Sequence, residues 1–225
     1  NVVSLNGSKV HISTGDATAV VPADNTLFSG TRAFPVTFAA SGTWTVTATD
    51  VSTVPTLTAG LGASTSVSAA AATRLLVLLP GQTSAPGTVS GRAGSATNAR
   101  AGTAITVTVL STDAYWNPVT STRTVALTTS DANTNTNLPS SAALVDGAKD
   151  FSLTFKTAGT WTVTATDQAG VGPLTANTSS TIGVGAGDHA GLQVLVGGQT
   201  SAPGTARGYT GSPTAVTAGM HVSIT

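Results

Sequence analysis

The 225-residue sequence contains no cysteine, no glutamate and a single methionine, and only 8% of its residues are charged. Without cysteine there is no disulfide staple, no thiolate nucleophile and no sulfur ligand for a metal, so cohesion must come from buried apolar surface. Nine Lys and Arg balance nine acids, all of them Asp. A neutral chain lacks the basic footprint that phosphate-backbone binding requires, so nucleic acid is not an expected partner. No apolar run approaches the ~20 residues of a membrane span.

The sequence is instead rich in β-branched residues, with 43 Thr, and 40% of it is hydrophobic. Gly and Pro, at 25 and 10, are too few for a low-complexity coil. An ordered all-β protein is expected.

Internal repetition is the strongest signal. GTWTVTATD stands at 42–50 and again at 159–167, and GQTSAPGT at 81–88 and again at 198–205, both 117 residues apart. Leu27 and Leu144, Gly30 and Gly147, Phe34 and Phe151, and Pro22 and Pro139 keep that offset. The register slips only before Pro22 and Pro139, through short insertions near Asp16 and Asp131. Within each copy the apolar period is two: Ile105, Val107 and Val109 alternate with Thr, as do Trp44, Val46 and Ala48. Turn signals such as Val145-Asp146-Gly147 separate the runs. Residues 68–79, with Ala69 to Ala72, could pass for a helix, but the counterpart 117 residues on is Gly-rich, so 69–73 reads as a junction and 75–79 as a first strand.

About seven short strands per 117 residues, with turns at sandwich spacing, predict tandem immunoglobulin-like β-sandwiches. The segment 106–119, TVTVLSTDAYWNPV, resembles the strand and turn of bacterial Ig-like domains of the invasin and intimin type, where Asp, a short gap and Asn-Pro-Val precede the next strand. GTWTVTATD is similar to their penultimate strand; the GQTSAPGT insertion and the 117-residue period depart from the pattern. The resemblance implies a cell-surface or secreted tandem array with no catalytic residues. The expected divisions are a partial Ig-like domain at 1–72, a complete one at 73–188 and a partial one at 189–225. In this phase the chain is either a window on a longer array or a subunit whose C-terminal strands complete the first domain of the next. Expected partners are neighbouring copies or repeats of the same protein, with a glycan or cell-surface receptor on an end-loop cluster, such as GQTSAPGT, as the second reading.

Candidate chemistry is thin. His11, His189 and His221 lie in separate segments, so convergence into a metal or catalytic site is not expected. Asp113 with Asn117, and Asp131 with Asn133 and Asn135, read as turn caps sooner than calcium ligands. Lys149 and Lys156 raise an intramolecular Lys–Asn bond, but neither has a lysine counterpart in the first copy and no Glu could shuttle the proton. No Gly-x-Ser-x-Gly elbow is present in a strand-turn-helix context. The expectation is a protein without catalysis, cofactor or metal.

Asn6 and Asn177 open glycosylation sequons, and the outward Thr rows could carry O-linked sugars or serve simply as polar strand formers. In the run 75–79, alternation sends Leu75, Val77 and Leu79 inward and leaves Leu76 and Leu78 on the opposite face, where they are expected to form an assembly contact. Trp44 and Trp161 are expected to be equivalent core residues.

Overall fold

The computed structural model describes residues 7–52, 57–132 and 138–225, and among them there is no α-helix. The chain divides into two compact units: Asn1–Thr73 with Ser84–Ala93 and Thr112–Val119, and Arg74–Thr83 with Gly94–Ser111 and Thr120–Thr225.

In the first unit the strands are β1 (Lys9–Thr14), β2 (Asn25–Thr26), β3 (Gly42–Trp44), β4 (Val46–Asp50), β5 (Gly60–Leu61) and β6 (Thr65–Val67). The main sheet has the order β2-β1-β4-β5 and β3 pairs with β6. β1 and β4 run antiparallel, from Val10↔Asp50 to Thr14↔Val46. Val10 and Ile12 point inward and are buried, while His11 between them is exposed, as period-two alternation requires.

There follow β7 (Arg74–Leu78), β8 (Thr83–Ser84), β9 (Arg92–Ala93), β10 (Ala99–Arg100), β11 (Ala104–Thr112), β12 (Thr124–Thr129), β13 (Ala142–Ala143), β14 (Ala148–Thr154), β15 (Gly159–Trp161), β16 (Val163–Asp167), β17 (Asn177–Thr178), β18 (Ile182–Gly185), β19 (Gln199–Ser201) and β20 (Tyr209–Gly211). The second unit is a β-sandwich built from the sheets β14-β11-β7 and β13-β12-β16-β17, with β10-β18-β15 beside them. Its core includes Leu75, Val107, Val109, Leu153, Phe155, Val163 and Ile182, all 1% exposed or less.

The two copies of GTWTVTATD fold alike. Each is split after its Trp, the first three residues pairing with one strand and the last five with others. In each, the indole Nε1 donates to a backbone carbonyl four residues earlier, Ala40 and Thr157 respectively, at 2.8 Å. The tryptophans are therefore equivalent, but both are half-buried rather than deep core. The reason is local: each ring folds back over its own glycine, so close that a Cβ on Gly159 would stand 2.7 Å from Trp161 Cζ2.

Residues 68–79 contain a strand and no helix. Its side chains correct the expectation for Leu76 and Leu78, which are 0% and 7% exposed and have no outward face to offer a second copy. Alternation fails because β7 is not a one-sided strand. It belongs to the β14-β11-β7 sheet, yet Leu75 N donates to Thr175 O at 2.9 Å and Val77 N to Asn177 Oδ1 at 2.9 Å, toward the opposite layer. β7 thus has backbone partners on both of its edges, and the side chains on both of its faces, Leu75 to Leu78, are buried.

Candidate functional site

Five of the aspartates, Asp16, Asp50, Asp113, Asp131 and Asp167, are engaged with backbone N–H groups. Asp113 and Asn117, both buried, close the turn after β11. Asp113 Oδ1 accepts from Tyr115 N at 2.8 Å and Asn117 N at 3.0 Å; its Oδ2 accepts from Asn117 Nδ2 at 3.0 Å and from Ala70 N at 2.9 Å. Asn117 reaches further, donating from Nδ2 to Ala39 O at 2.9 Å and accepting from Ser41 N at 2.7 Å. Trp116 takes a left-handed φ of 68° inside this turn. Its indole lies against Gly91, where a Cβ would come within 2.4 Å of the ring, and Gly91 itself has φ 71°. Burial pushes the Asp113 carboxyl up, but the bonds from Asn117, Ala70 and Tyr115 outweigh it and hold the pKa below the usual carboxylate value.

Two further aspartates in each copy act the same way. Asp16 Oδ2 accepts from Ala39 N and Ala40 N at 3.1 and 3.2 Å; Asp131 Oδ2 accepts from Lys156 N and Thr157 N at 3.1 and 3.2 Å. Asp50 holds Ser52 N and Leu57 N at 2.8 and 2.9 Å, and Asp167 holds Ala169 N and Leu174 N at 3.0 and 2.8 Å. Burial raises Asp16, yet Thr18 Oγ1 and N together with Ala40 N and Ala39 N bring its pKa below the ordinary value. Asp50 is lowered by the hydroxyl and N–H of Ser52 and by Leu57 N. A carboxylate holding two to four N–H groups is an anchor for loops, not a free base. The turn-capping reading of Asp113 and Asn117 was legible in the sequence; the loops they hold were not.

The other expected residues stay apart. His11 Nδ1 lies 2.7 Å from Asp24 Oδ1 on an exposed face, and His189 and His221 are exposed elsewhere. Among the described residues no three His, Cys, Asp or Glu converge as metal ligands. Asn133, Asn135 and Asn6 lie outside the described residues. Asn177 is half-buried in β17 with its carbonyl oxygen bonded to Val77 N, so this sequon asparagine cross-ties two strands. Lys149 stands opposite Val109 in the β14–β11 pair.

An open apolar depression in the first unit was not anticipated. It measures about 400 Å³ and is lined by Val10, Ile12, Leu27, Phe34, Ala48 and Leu57 among others.

No protein-family model matches the chain, and no curated protein does. Among solved structures the chain is similar to the D0-D1 domain of intimin, at 20% identity over 81% of this chain and 84% of that chain with a TM-score of 0.33. It is also similar to the fibronectin(III)-like modules of Clostridium thermocellum CbhA, at 16% identity over 83% of this chain and 84% of that chain with a TM-score of 0.30. Among the described residues no helix is long and apolar enough to cross a membrane.

Proposed function

We propose that the protein is an extracellular structural protein, whose Ig-like sandwiches stand in tandem as a cell-surface stalk or fibre and carry no catalysis. The observation that supports this reading is the engagement of its carboxylates. Asp16 and Asp131 pin the same pair of backbone N–H groups in their respective copies, as do Asp50 and Asp167, and Asp113 pins the turn after β11. Such a set of anchored loops, duplicated with its geometry, suits a module that is copied for length and stiffness. The experiment is immunogold labelling of intact source cells with antibody raised against this chain. Gold standing off the envelope, at a distance that shortens when a repeat is deleted, is expected; label only after permeabilisation contradicts the proposal.

A second reading, a binding module using an end loop, rests on one surface. Val89 is fully exposed and Tyr115 half-exposed, held together by Gly87 N donating to Tyr115 O at 2.7 Å and Trp116 Nε1 donating to Val89 O at 3.3 Å. An aromatic ring beside an apolar tip suits a glycan or receptor contact. Glycan-array binding that Tyr115→Ala abolishes would favour this reading.

A further inference from the structure

The hairpin 85–91 is built twice and tipped differently. In the first copy Ala85 N donates to Gly91 O at 2.8 Å, and Thr88 Oγ1 donates to Ala85 O at 2.7 Å and accepts from Gly91 N at 3.1 Å. In the second copy Ala202 N donates to Gly208 O at 2.6 Å, and Thr205 Oγ1 donates to Ala202 O at 2.8 Å and accepts from Gly208 N at 3.1 Å. The backbone angles match as well: φ is 77° at Gly87 and 81° at Gly204, 71° at Gly91 and 73° at Gly208. What this frame presents is not the same. Its exposed tip is Val89-Ser90 in the first copy and Ala206-Arg207 in the second.

The first frame is also fixed from outside. Gly87 N donates to Tyr115 O at 2.7 Å, and Gly87 is pressed against Thr18, whose hydroxyl donates to Asp16 Oδ1 at 2.6 Å. Trp116 closes the other side, with its ring against Gly91 and its Nε1 donating to Val89 O at 3.3 Å. Trp116 reaches this position through a left-handed φ that is strained for a bulky residue, and the buried Asp113–Asn117 pair holds it there. A tip fixed in this way loses little freedom when a ligand binds.

The chemistry around the tip is uniform. None of the exposed residues in the segments 84–93 and 112–119 is charged; Arg92 is half-buried and Asp113 is buried in its own turn. Exposed instead are the Tyr115 ring, the Val89 side chain and Ser90. A rigid aromatic residue beside small polar groups on an ordered loop is the composition of a recognition loop. The face of such a ring packs on the C–H face of a pyranose, while hydroxyl and N–H groups meet the sugar hydroxyls. A charged ligand would give up water here with no opposite charge to meet it.

We infer that the first hairpin tip, with Tyr115 and Trp116, is a binding site for an uncharged saccharide, and that residues 89 and 90 are its specificity-determining pair. The inference rests on the binding-module reading above and names its ligand class. In the second copy Arg207 puts a cation at the tip, so the same frame presents a different charge.

The test is an array printed with neutral oligosaccharides (β-glucan, mannan, galactan and chitin fragments), acidic ones (uronic-acid and sulfated fragments) and unglycosylated proteins, probed with the labelled full chain. Retention on neutral spots alone is expected. The signal should fall about tenfold or more in Tyr115→Ala. It should fall likewise in the double variant Val89→Ala with Ser90→Arg, which gives the first frame the tip of the second. Both variants change exposed side chains, so circular dichroism and melting temperature should stay native. Neutral-spot signals that survive both variants, or that are lost only together with the native melting temperature, overturn the inference. Retention on acidic or protein spots that Tyr115→Ala abolishes leaves the binding-module reading standing and overturns the assignment to an uncharged saccharide. Retention on no spot overturns the reading and the inference with it.

Discussion

Asp113 Oδ2 and Asn117 Nδ2 are hydrogen-bonded at 3.0 Å with both side chains buried, and between them they accept from or donate to the backbone of Ala39, Ser41, Ala70, Tyr115 and Asn117. Removing Asp113 strands several buried donors at once. Asp113→Ala should destabilise the first unit by about 3–5 kcal/mol, and Asn117→Ala by about 2–3 kcal/mol, measured by urea denaturation. A shift of a few tenths would mean that water replaces these bonds without loss.

The same carboxylate sets an acid limit. Asp113 and Asp16 both have pKa values below the ordinary one in the folded chain, so each contributes stability that is complete above the unfolded carboxylate pKa of about 4 and is lost as pH falls through the lower folded value. The denaturation midpoint of the first unit should be flat from pH 7 to about pH 5 and fall below about pH 4. In Asp113→Asn the acid-induced fall should shrink, from a lower starting stability. A midpoint that rises on acidification contradicts the sign.

Phe38 and Phe155 occupy counterpart positions but different environments, half-buried against 0% exposed. Phe155→Ala should cost about 3–5 kcal/mol, and Phe38→Ala clearly less, in the isolated chain. Equal losses would mean that the first unit is as well covered as the second.

Leu76 reports on how alternation misleads. Leu76→Thr places a hydroxyl in a fully buried site and should lower stability by about 2–4 kcal/mol. Self-association should follow only from that loss; abolished association with unchanged unfolding would restore the outward reading.

Much of the fold was legible because it is written locally. The period-two runs at β11, β14 and β16 bury Val107, Val109, Phe151, Leu153, Val163 and Ala165 and expose Thr106, Asp150, Ser152 and Thr166 between or beside them, and they became strands with those faces. What could not be read depends on residues far apart in the chain. Leu76 and Leu78 look half-exposed in sequence because nothing local shows that β7 also bonds to Thr175 and Asn177. Asn177 looks like a free sequon because its partner, Val77, is 100 residues away. The turn at Asp113 was legible as a cap from its own residues, whereas its hold on Ala39, Ser41 and Ala70 required the fold.

The most direct measurement is hydrogen exchange followed by mass spectrometry, in the native chain and in Asp131→Ala. Amides of Lys156 and Thr157, which Asp131 Oδ2 holds, should be protected in the native chain and exchange rapidly in the variant, while Ala148–Thr154, paired with β11, stays protected in both. Rapid exchange at 156–157 in the native chain, or protection there that the variant leaves unchanged, would contradict loops anchored by their carboxylates.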